Sequence, residues 1–162
     1  MKSFALALAA ATFTAALAAP HIARARDIPT CAPITTAQVS ALFDRWNKTL
    51  ATKNPDTVVG NYAPDATLLP TVENGPLVGT APIRGYFVYF LKNSPHGAID
   101  QRIIHVGCNI AYDVGTYTFT LDGAEPGSHS TVHARYTFVY APSHGKWLIV
   151  HHHSSAMPKP AP

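Results

Sequence analysis

Three consecutive histidines, His151 to His153, stand near the end of the chain and suggest two kinds of chemistry. Imidazole is a common ligand of transition metals and an acid–base group that titrates near neutral pH. The apolar stretch before the histidines predicts a β-strand, in which successive side chains point to opposite faces. His152 then shares a face with Leu148 and Val150, while its two neighbours point the other way. A third ligand is not spaced nearby, so the pattern predicts no metal site and no cofactor.

Two earlier segments, Gly115–Leu121 and Val132–Tyr140, alternate between polar and aromatic side chains. If they pair as a hairpin, one face of the sheet carries threonines with His133 and Arg135, and the other carries aromatic rings. The alternation of side chains along the strands leaves two arrangements open. Either the rings pack on the helices and the polar face meets water, or the polar face lines a pocket and the rings pack against a second subunit.

The second arrangement gives specific predictions for the site. Its ligand-binding residues are Trp46, Tyr62, Thr118, Arg135 and His152. The last strand begins apolar on both faces, so the core covers one face and a partner chain covers the other. The predicted subunit interface consists of Tyr136, Phe138 and Trp147.

The carboxylates and the known catalytic and binding motifs give little indication of a function. The acidic residues at predicted turns or strand ends, where carboxylates are usually solvated, are Asp65, Glu73, Asp100 and Asp113. The sequence contains no Gly-x-Ser-x-Gly, phosphate-loop or dinucleotide motif. Its 12 lysines and arginines are scattered singly, without the basic stripe that follows a phosphate backbone. This distribution argues against nucleic acid as a partner.

Helical spacing of apolar residues marks three segments in the first half of the chain. They are Thr35–Thr52, a short segment between Asn54 and Pro64, and one from Thr80 to about Asn93. Thr35 followed by Gln38 predicts a capping box at the start of the first helix.

The second half is rich in β-branched and aromatic residues separated by turn sequences. The predicted strands are Gln101–Val106, Ala111–Leu121, Val132–Tyr140 and Trp147–His153, with an earlier one at Ala66–Pro70. Helices followed by hairpin-connected strands predict an α+β fold, with three helices on one face of a curved antiparallel sheet. Such a cone has one open end and forms a pocket.

The start of the chain has the layout of a secretory signal peptide, with Lys2 ahead of an apolar run from Phe4 to Ala19. That run is too short and too rich in alanine to favour a membrane-spanning helix. Cleavage fits after Ala18 or after Ala25. The second site removes two cations, which lowers the formal net charge from +3 to +1.

We therefore divide the chain into a signal peptide (residues 1–25), an N-terminal segment (26–34), one domain (35–157) and a disordered tail (158–162). The mature protein is expected in the periplasm or outside the cell, without membrane attachment. Its two cysteines, Cys31 and Cys108, then enter an oxidising compartment, which favours a disulfide. Closing so long a loop stabilises the fold by on the order of 4 kcal/mol in the chain-entropy model. Two unpaired buried thiols are the alternative.

Three segments, Leu42–Trp46, Tyr62–Ala66 and Gly145–His153, resemble the nuclear transport factor 2-like superfamily. The closing Gly-Lys-Trp and His-x-His phrases are similar to the association (hub) domain of calcium/calmodulin-dependent protein kinase II and to its bacterial exported relatives. The resemblance covers residues 35 to 158. It implies a cone-shaped, cystatin-like fold, assembly through the outer face of the sheet, and a deep pocket.

In the kinase hub, that pocket is lined by arginines that bind small carboxylates. Ser154, Thr118 and Thr137 stand at the aligned positions here, and Arg135 lies two residues before Thr137 on the same face. The resemblance therefore implies a pocket with one cation where the hub has several. Kinase activity and regulation by calmodulin do not follow from it.

The superfamily also contains enzymes that move protons next to carbonyl groups. By that resemblance His152 would be the catalytic base, and Arg135 or Tyr62 would stabilise the oxyanion; alternatively, His152 is simply hydrogen-bonded within the core. We expect an exported, self-associating domain, a homodimer or larger, that binds a small organic molecule. A proton-transfer enzyme of the isomerase, cyclase or dehydratase kind and a purely structural scaffold stay open as alternatives.

Overall fold

Three helices stand close to where the spacing of apolar residues predicts them. The computed structural model describes residues 30–123 and 125–158, so the predicted signal peptide and residues 159–162 of the predicted tail lie outside the described residues. The helices are α1 (Thr36–Leu50), α2 (Pro55–Val59) and α3 (Thr80–Phe90). The predicted capping box is present at α1, where Thr35 and Gln38 each accept a hydrogen bond from the other's backbone N–H.

Six strands form one curved sheet in the order β2-β1-β6-β5-β4-β3. They are β1 (Tyr62–Leu69), β2 (Leu77–Val78), β3 (His96–Gly107), β4 (Ile110–Asp122), β5 (His129–Ser143) and β6 (Lys146–Ala156). Strands β3 to β6 are consecutive antiparallel neighbours, whereas β1 runs parallel to β6. The predicted α+β fold is confirmed, and the strands are longer than the sequence pattern indicates.

The helices cover one face of the sheet, here termed the inner face; the opposite face is the outer face. The apolar stripe of α1 buries Val39, Phe43, Trp46 and Leu50. The ring of Phe43 lies 5.7 Å from that of Phe138 and 6.1 Å from that of Tyr136, centroid to centroid. The core of the protein therefore lies between α1 and the aromatic side chains of β4 and β5.

This packing decides between the two arrangements that parity left open. Tyr136 and Phe138 are 3% and 0% exposed because the helices of the same chain cover them. The prediction that these two residues form a subunit interface is therefore wrong. Trp147 is half-buried and packs on the edge of the core, and its role at an interface stays a prediction.

A β-bulge in β6 changes which residues share a face with His152. The pairing with β5 passes from Val139–His151 directly to Tyr140–Ile149, so one residue of β6 is extra. The extra residue shifts the alternation by one, and Ile149 and His152 both point inward. The expected grouping of His152 with Leu148 and Val150 is wrong, because simple parity assumes an unbroken strand.

A second bulge lies in β3, between Ile99 and Gln101, opposite β4. Gly115 of β4 faces it so closely that a Cβ atom there would lie 1.9 Å from the backbone oxygen of Gln101. A residue with a side chain cannot occupy this position without a backbone shift. Because bulges bend the strand that carries them, this pair of features contributes to the curvature of the sheet.

Cys31 and Cys108 form the predicted disulfide, with their Cα atoms 4.9 Å apart. Cys108 lies in the turn between β3 and β4. Next to it, Asn109 accepts a hydrogen bond from the backbone N–H of Ala32 at 2.7 Å and donates one to the carbonyl of Thr30. Residues 30–32 are thereby held against one end of the sheet. None of the described helices is long and apolar enough to cross a membrane.

Candidate ligand pocket

A cavity opens between the helices and the inner face of the sheet, with about 520 Å³ of space when its mouth is included. Its wall is mainly aromatic: Trp46, Tyr86, Phe87, Phe90, Tyr117 and Phe119. Its polar members are Thr71, His152 and Ser154. Among the described residues, none that lines the cavity is a lysine, arginine, aspartate or glutamate.

The elements around the cavity each supply one part of its wall. Residues of α3 spaced at helical intervals form one side, α1 contributes Trp46, and the inner face of β4 to β6 forms the other side. Val72, in the loop after β1, lines the cavity and is 76% exposed, which places it at the mouth. The enclosed part of this space, about 50 Å³, is smaller than the roughly 150 Å³ of a cavity that accepts benzene, so a larger molecule would extend into the mouth.

His152 is 4% exposed and belongs to the cavity wall. Its imidazole stacks on Phe138 with ring centroids 4.0 Å apart and meets Trp46 edge-on at 5.3 Å. Nδ1 lies 2.9 Å from the hydroxyl of Tyr62. The other ring nitrogen, Nε2, is buried and has no hydrogen-bond partner among the described residues.

A short chain of hydrogen bonds fixes the tautomer of His152. The indole N–H of Trp46 donates to the hydroxyl oxygen of Tyr62 at 3.0 Å. The proton of that hydroxyl is then available for Nδ1 of His152, which acts as the acceptor. The reverse arrangement would leave the buried tyrosine proton without an acceptor, at a cost of about 1–3 kcal/mol. His152 therefore carries its proton on Nε2 and presents it as a donor.

The side chains of Trp46, Tyr62 and His152, which these hydrogen bonds join, are uncharged. Burial lowers the pKa of His152 to about 3, with smaller contributions from the neighbouring His151 and His153. Burial also raises the pKa of Tyr62 well above its ordinary value. Because a general base works best when its pKa is near the operating pH, the imidazole of His152 is a poor base at neutral pH. It is a hydrogen-bond donor instead.

A second set of polar groups lies two residues further along β6. The hydroxyl of Tyr117 donates to Oγ of Ser154 at 2.5 Å, and Ser154 is also hydrogen-bonded to Thr71 beside the mouth. Burial raises the pKa of Tyr117, so this cluster is neutral as well. The cavity thus combines aromatic walls with uncharged donors and acceptors.

The structure separates the five predicted ligand-binding residues. Trp46 and His152 line the cavity, and Tyr62 lies behind His152 as its hydrogen-bond partner. Thr118 and Arg135 point to the outer face, where Arg135 is exposed; their predicted place in the pocket is wrong. The aromatic face had to be buried against α1, and that turned the polar face outward.

Thr118 belongs to a small polar cluster on the outer face. Its hydroxyl donates to Asp100 at 2.8 Å and lies 2.8 Å from Nδ1 of His133. Arg135 borders a shallow depression nearby, together with His153 and Ser155. These groups remain in contact with water. The oxyanion role that the resemblance gave to Arg135 therefore has no support in this geometry.

Some residues of the cavity were not identified from the sequence as binding residues. Tyr86, Phe87 and Phe90 follow helical spacing, which by itself indicates burial in a core. Ser154 stands where the resemblance places an arginine of the hub pocket, but it was not counted as a binding residue, and its contact with Tyr117 depends on the pairing of β4, β5 and β6. Only the three-dimensional arrangement shows that these side chains border a common space.

A buried ion pair lies beneath α1, outside the cavity wall. Asp113 is 0% exposed, which corrects the expectation that it is solvated at a strand end. Its carboxylate lies 3.1 Å from Nε of Arg102 and accepts a hydrogen bond from the hydroxyl of Tyr136 at 2.8 Å. The Arg102 guanidinium lies 5.3 Å from the centre of the Phe43 ring. This pair contributes to holding α1 on the sheet.

The fold is shared with proteins of the nuclear transport factor 2-like superfamily. A Salmonella enterica protein of that superfamily is 20% identical with a TM-score of 0.65, covering 77% of this chain and 92% of its own. A Streptomyces avermitilis protein of the same superfamily, provisionally named a dehydratase, is 13% identical with a TM-score of 0.68, covering 76% and 97%. At these identities the likeness shows the fold alone.

The sequence assigns the family more narrowly. Residues 35–158 match the model of the calcium/calmodulin dependent protein kinase II association domain, and the chain belongs to this family. A Xanthomonas campestris structure provisionally named for the same domain is 46% identical, with a TM-score of 0.73, covering 83% of this chain and 99% of its own. The resemblance stated from the sequence is confirmed. A search of curated proteins gave no match.

Proposed function

We propose that this chain is an exported, self-associating domain whose inner cavity binds a small organic molecule. The observation that carries the proposal is the cavity itself, which has an aromatic wall, opens to solvent at Val72 and is lined by the polar side chains of Thr71, His152 and Ser154. A mostly apolar cavity with a few polar groups in its wall is typical of a ligand site.

Self-association is supported by apolar side chains on the outer face. Ile103, Ile110 and Tyr112 are 68%, 48% and 38% exposed at one end of the sheet. Next to them lie the half-buried side chains of Val114, Val139, Leu148 and Val150. Large apolar patches on a surface often mark contact sites between proteins. The names of the family model and of the Xanthomonas campestris structure also refer to an association domain.

Export is supported by the apolar N-terminal run and by the disulfide. Disulfides persist in oxidising compartments and are rare in the cytosol. The bond between Cys31 and Cys108 is therefore consistent with a protein that works in the periplasm or outside the cell.

Binding is favoured over catalysis and over a purely structural role. A catalytic base at His152 would need a pKa near neutrality, but burial lowers this pKa to about 3. A scaffold would have no need for an open cavity with an unpaired donor in its wall. The aromatic wall and the single strong donor are instead typical of a ligand site.

The proposal is tested by filling the cavity. Ala134 is 1% exposed and lines the cavity, so Ala134→Leu should occupy part of it. Ala98→Leu adds the same atoms at an exposed position of β3 and is the matched control. We expect some members of a set of small organic compounds to raise the melting temperature of the wild type and of Ala98→Leu, and not of Ala134→Leu. Equal shifts in all three proteins, or none in the wild type, would contradict binding in the cavity.

Self-association is tested separately by sedimentation velocity. The wild type should sediment as a dimer or a larger assembly at micromolar concentration. A monomer at all concentrations would refute this half of the proposal. The two halves can fail independently, because the cavity and the outer face lie on opposite sides of the sheet.

A further inference from the structure

Resting on the proposed function, we infer that residues 70–76 form a movable cover over the cavity, held closed by the hydrogen bond between Thr71 and Ser154. These residues join β1 to β2 and are termed the cover segment, and the hydrogen bond is termed the latch. Two features carry the inference: the small size of the enclosed space, and the few contacts that fix the segment bordering it.

The enclosed part of the cavity is too small for most organic molecules. It measures about 50 Å³, whereas the whole space with its mouth measures about 520 Å³. Three residues of the cover segment, Pro70, Thr71 and Val72, line the cavity. An outward movement of this segment would widen the entrance and join the enclosed part to the mouth.

The cover segment has few ties to the rest of the domain. The latch joins the hydroxyl groups of Thr71 and Ser154. Among the described residues, no other hydrogen bond or ion pair joins residues 70–76 to a helix or a strand. The strand that follows, β2, has two residues and pairs with β1 at the edge of the sheet. Exposed segments with few buried contacts open at low cost, so this one can move while the sheet stays in place.

Breaking the latch costs little because water can replace it. The Thr71 side chain is half-buried, so its hydroxyl reaches water once the segment moves. Ser154 keeps the hydrogen bond that it accepts from Tyr117 at 2.5 Å. Neither hydroxyl is then left buried without a partner, which would be the costly outcome.

Val72 gives the cover segment a reason to close on a ligand. Its side chain lies at the mouth and is 76% exposed. A molecule that extends from the enclosed part into the mouth would bury some of this apolar surface, which is favourable. At Gly75, in the same segment, a Cβ atom would meet nothing within 4 Å, so neighbouring atoms do not restrict the backbone there.

Quenching of tryptophan fluorescence by acrylamide tests the movement. The chain contains two tryptophans, and the variant Trp147→Phe leaves Trp46, which lines the cavity and is 1% exposed. Acrylamide has to touch the indole ring, so its quenching rate constant reports how often the entrance opens. In this background the unaltered cover segment should hold the constant well below that of free N-acetyltryptophanamide.

Thr71→Val removes the latch and keeps the shape of the side chain. We expect the quenching constant of Trp46 to rise about threefold or more, as for the loss of one hydrogen bond. Thr118→Val makes the same chemical change on the outer face and should leave the constant unchanged. Near-ultraviolet circular dichroism confirms that the variants are folded.

Two further variants locate the effect. Ser154→Ala breaks the same hydrogen bond from the other side and should also raise the constant. Because both substitutions act on one bond, the double variant with Thr71→Val should exceed Ser154→Ala by little. Ala134→Leu narrows the cavity, so adding it to Thr71→Val should lower the constant if acrylamide reaches Trp46 through the cavity.

Contrary results would overturn the inference. An unchanged constant in Thr71→Val and Ser154→Ala, or an equal rise in Thr118→Val, would show that the latch does not hold the segment. Fully additive effects of Thr71→Val and Ser154→Ala would show that they do not act on one bond. Quenching in the unaltered segment as fast as that of N-acetyltryptophanamide would mean that the cavity has no cover. The melting-temperature experiment with Ala134→Leu decides separately whether the cavity binds small molecules at all.

Discussion

The two faces of the sheet are built from the same strands, yet they impose opposite conditions on their side chains. On the inner face Tyr117, Phe138 and His152 are nearly inaccessible to water, and the Tyr117 hydroxyl and Nδ1 of His152 bond to neighbours in the protein. On the outer face Thr118 and Arg135 remain in contact with water. Burying a large apolar side chain contributes about 1.5–3 kcal/mol, so the aromatic face goes to the helices. A polar pocket would instead have required the burial of an arginine.

Adjacent residues of β6 show the contrast at its smallest scale. His152 points inward and is held neutral by burial, whereas His153 is exposed on the outer face. One position along a strand therefore separates a buried hydrogen-bond donor from a solvated side chain. The identity of a residue says less about its role than the face on which it lies.

The largest expected effect comes from placing the same charge on each face in turn. Phe138→Asp puts a carboxylate among Phe43, Trp46 and His152, and we expect the domain to lose more than about 4 kcal/mol and to unfold. Val139→Asp places the charge on the outer face and should leave the monomer folded while weakening self-association. Circular dichroism and sedimentation velocity measure the two outcomes. A folded Phe138→Asp or an unfolded Val139→Asp monomer would reverse the assignment of the faces.

The next largest effect on stability is expected at Gly115, where the sheet bends. In Gly115→Ala the new Cβ would meet the backbone of Gln101 at 1.9 Å, so the strands must shift, at a cost of about 3 kcal/mol. Gly85→Ala, within α3, meets nothing within 4 Å and should stabilise the fold by up to about 1 kcal/mol. Urea denaturation of both variants measures the difference. Equal stabilities would show that the close approach at Gly115 is unimportant.

An effect of similar size depends on pH. The folded-state pKa of His152, about 3, lies below the ordinary value near 6.5, so the unfolded chain takes up a proton first as the pH falls. The stability that His152 contributes is complete above pH 6.5 and is lost toward pH 3, by up to about 1.4 kcal/mol per pH unit.

The control for this effect is the variant His152→Phe, since every other titrating group is common to both proteins. In urea denaturation between pH 7 and pH 4, the free energy of unfolding of the wild type should fall relative to that of His152→Phe as the pH falls. A difference between the two free energies of unfolding that stays constant with pH would mean that water reaches the His152 imidazole in the folded state.

The smallest effect belongs to the polar cluster on the outer face. Thr118→Val removes hydrogen bonds to Asp100 and His133 that are exposed to water. The free energy of unfolding should change by no more than about 0.5 kcal/mol, because water replaces the lost partners. The melting-temperature shifts that small organic compounds give should not change. A loss of binding would bring the outer face back as a candidate site.

The helices and the disulfide could be predicted because their signals are local or compositional. The capping box of Thr35 and Gln38 and the apolar spacing of α1 depend on residues a few positions apart. The pairing of Cys31 with Cys108 followed from there being two cysteines in a chain with a secretion signal. The motif resemblance was also sufficient to indicate the family.

The location of the site could not be predicted because it depends on long-range pairing. The alternation of side chains predicted along β5 was correct. The sequence did not determine which of the two faces packs against α1. In β6 the bulge between Ile149 and His151 broke the parity itself. Arg135 was therefore expected in the pocket and lies outside it, while Ser154 was not counted as a binding residue and lines the cavity.

Histidine-selective ¹⁵N NMR of the wild-type protein tests most directly whether the site lies on the inner face. His152 and His133 report on the two faces, and their signals are assigned from the variants His152→Phe and His133→Gln. Addition of a compound that raises the melting temperature of the wild type should shift the ring-nitrogen signals of His152 and leave those of His133 unchanged. A shift confined to His133 would contradict the account.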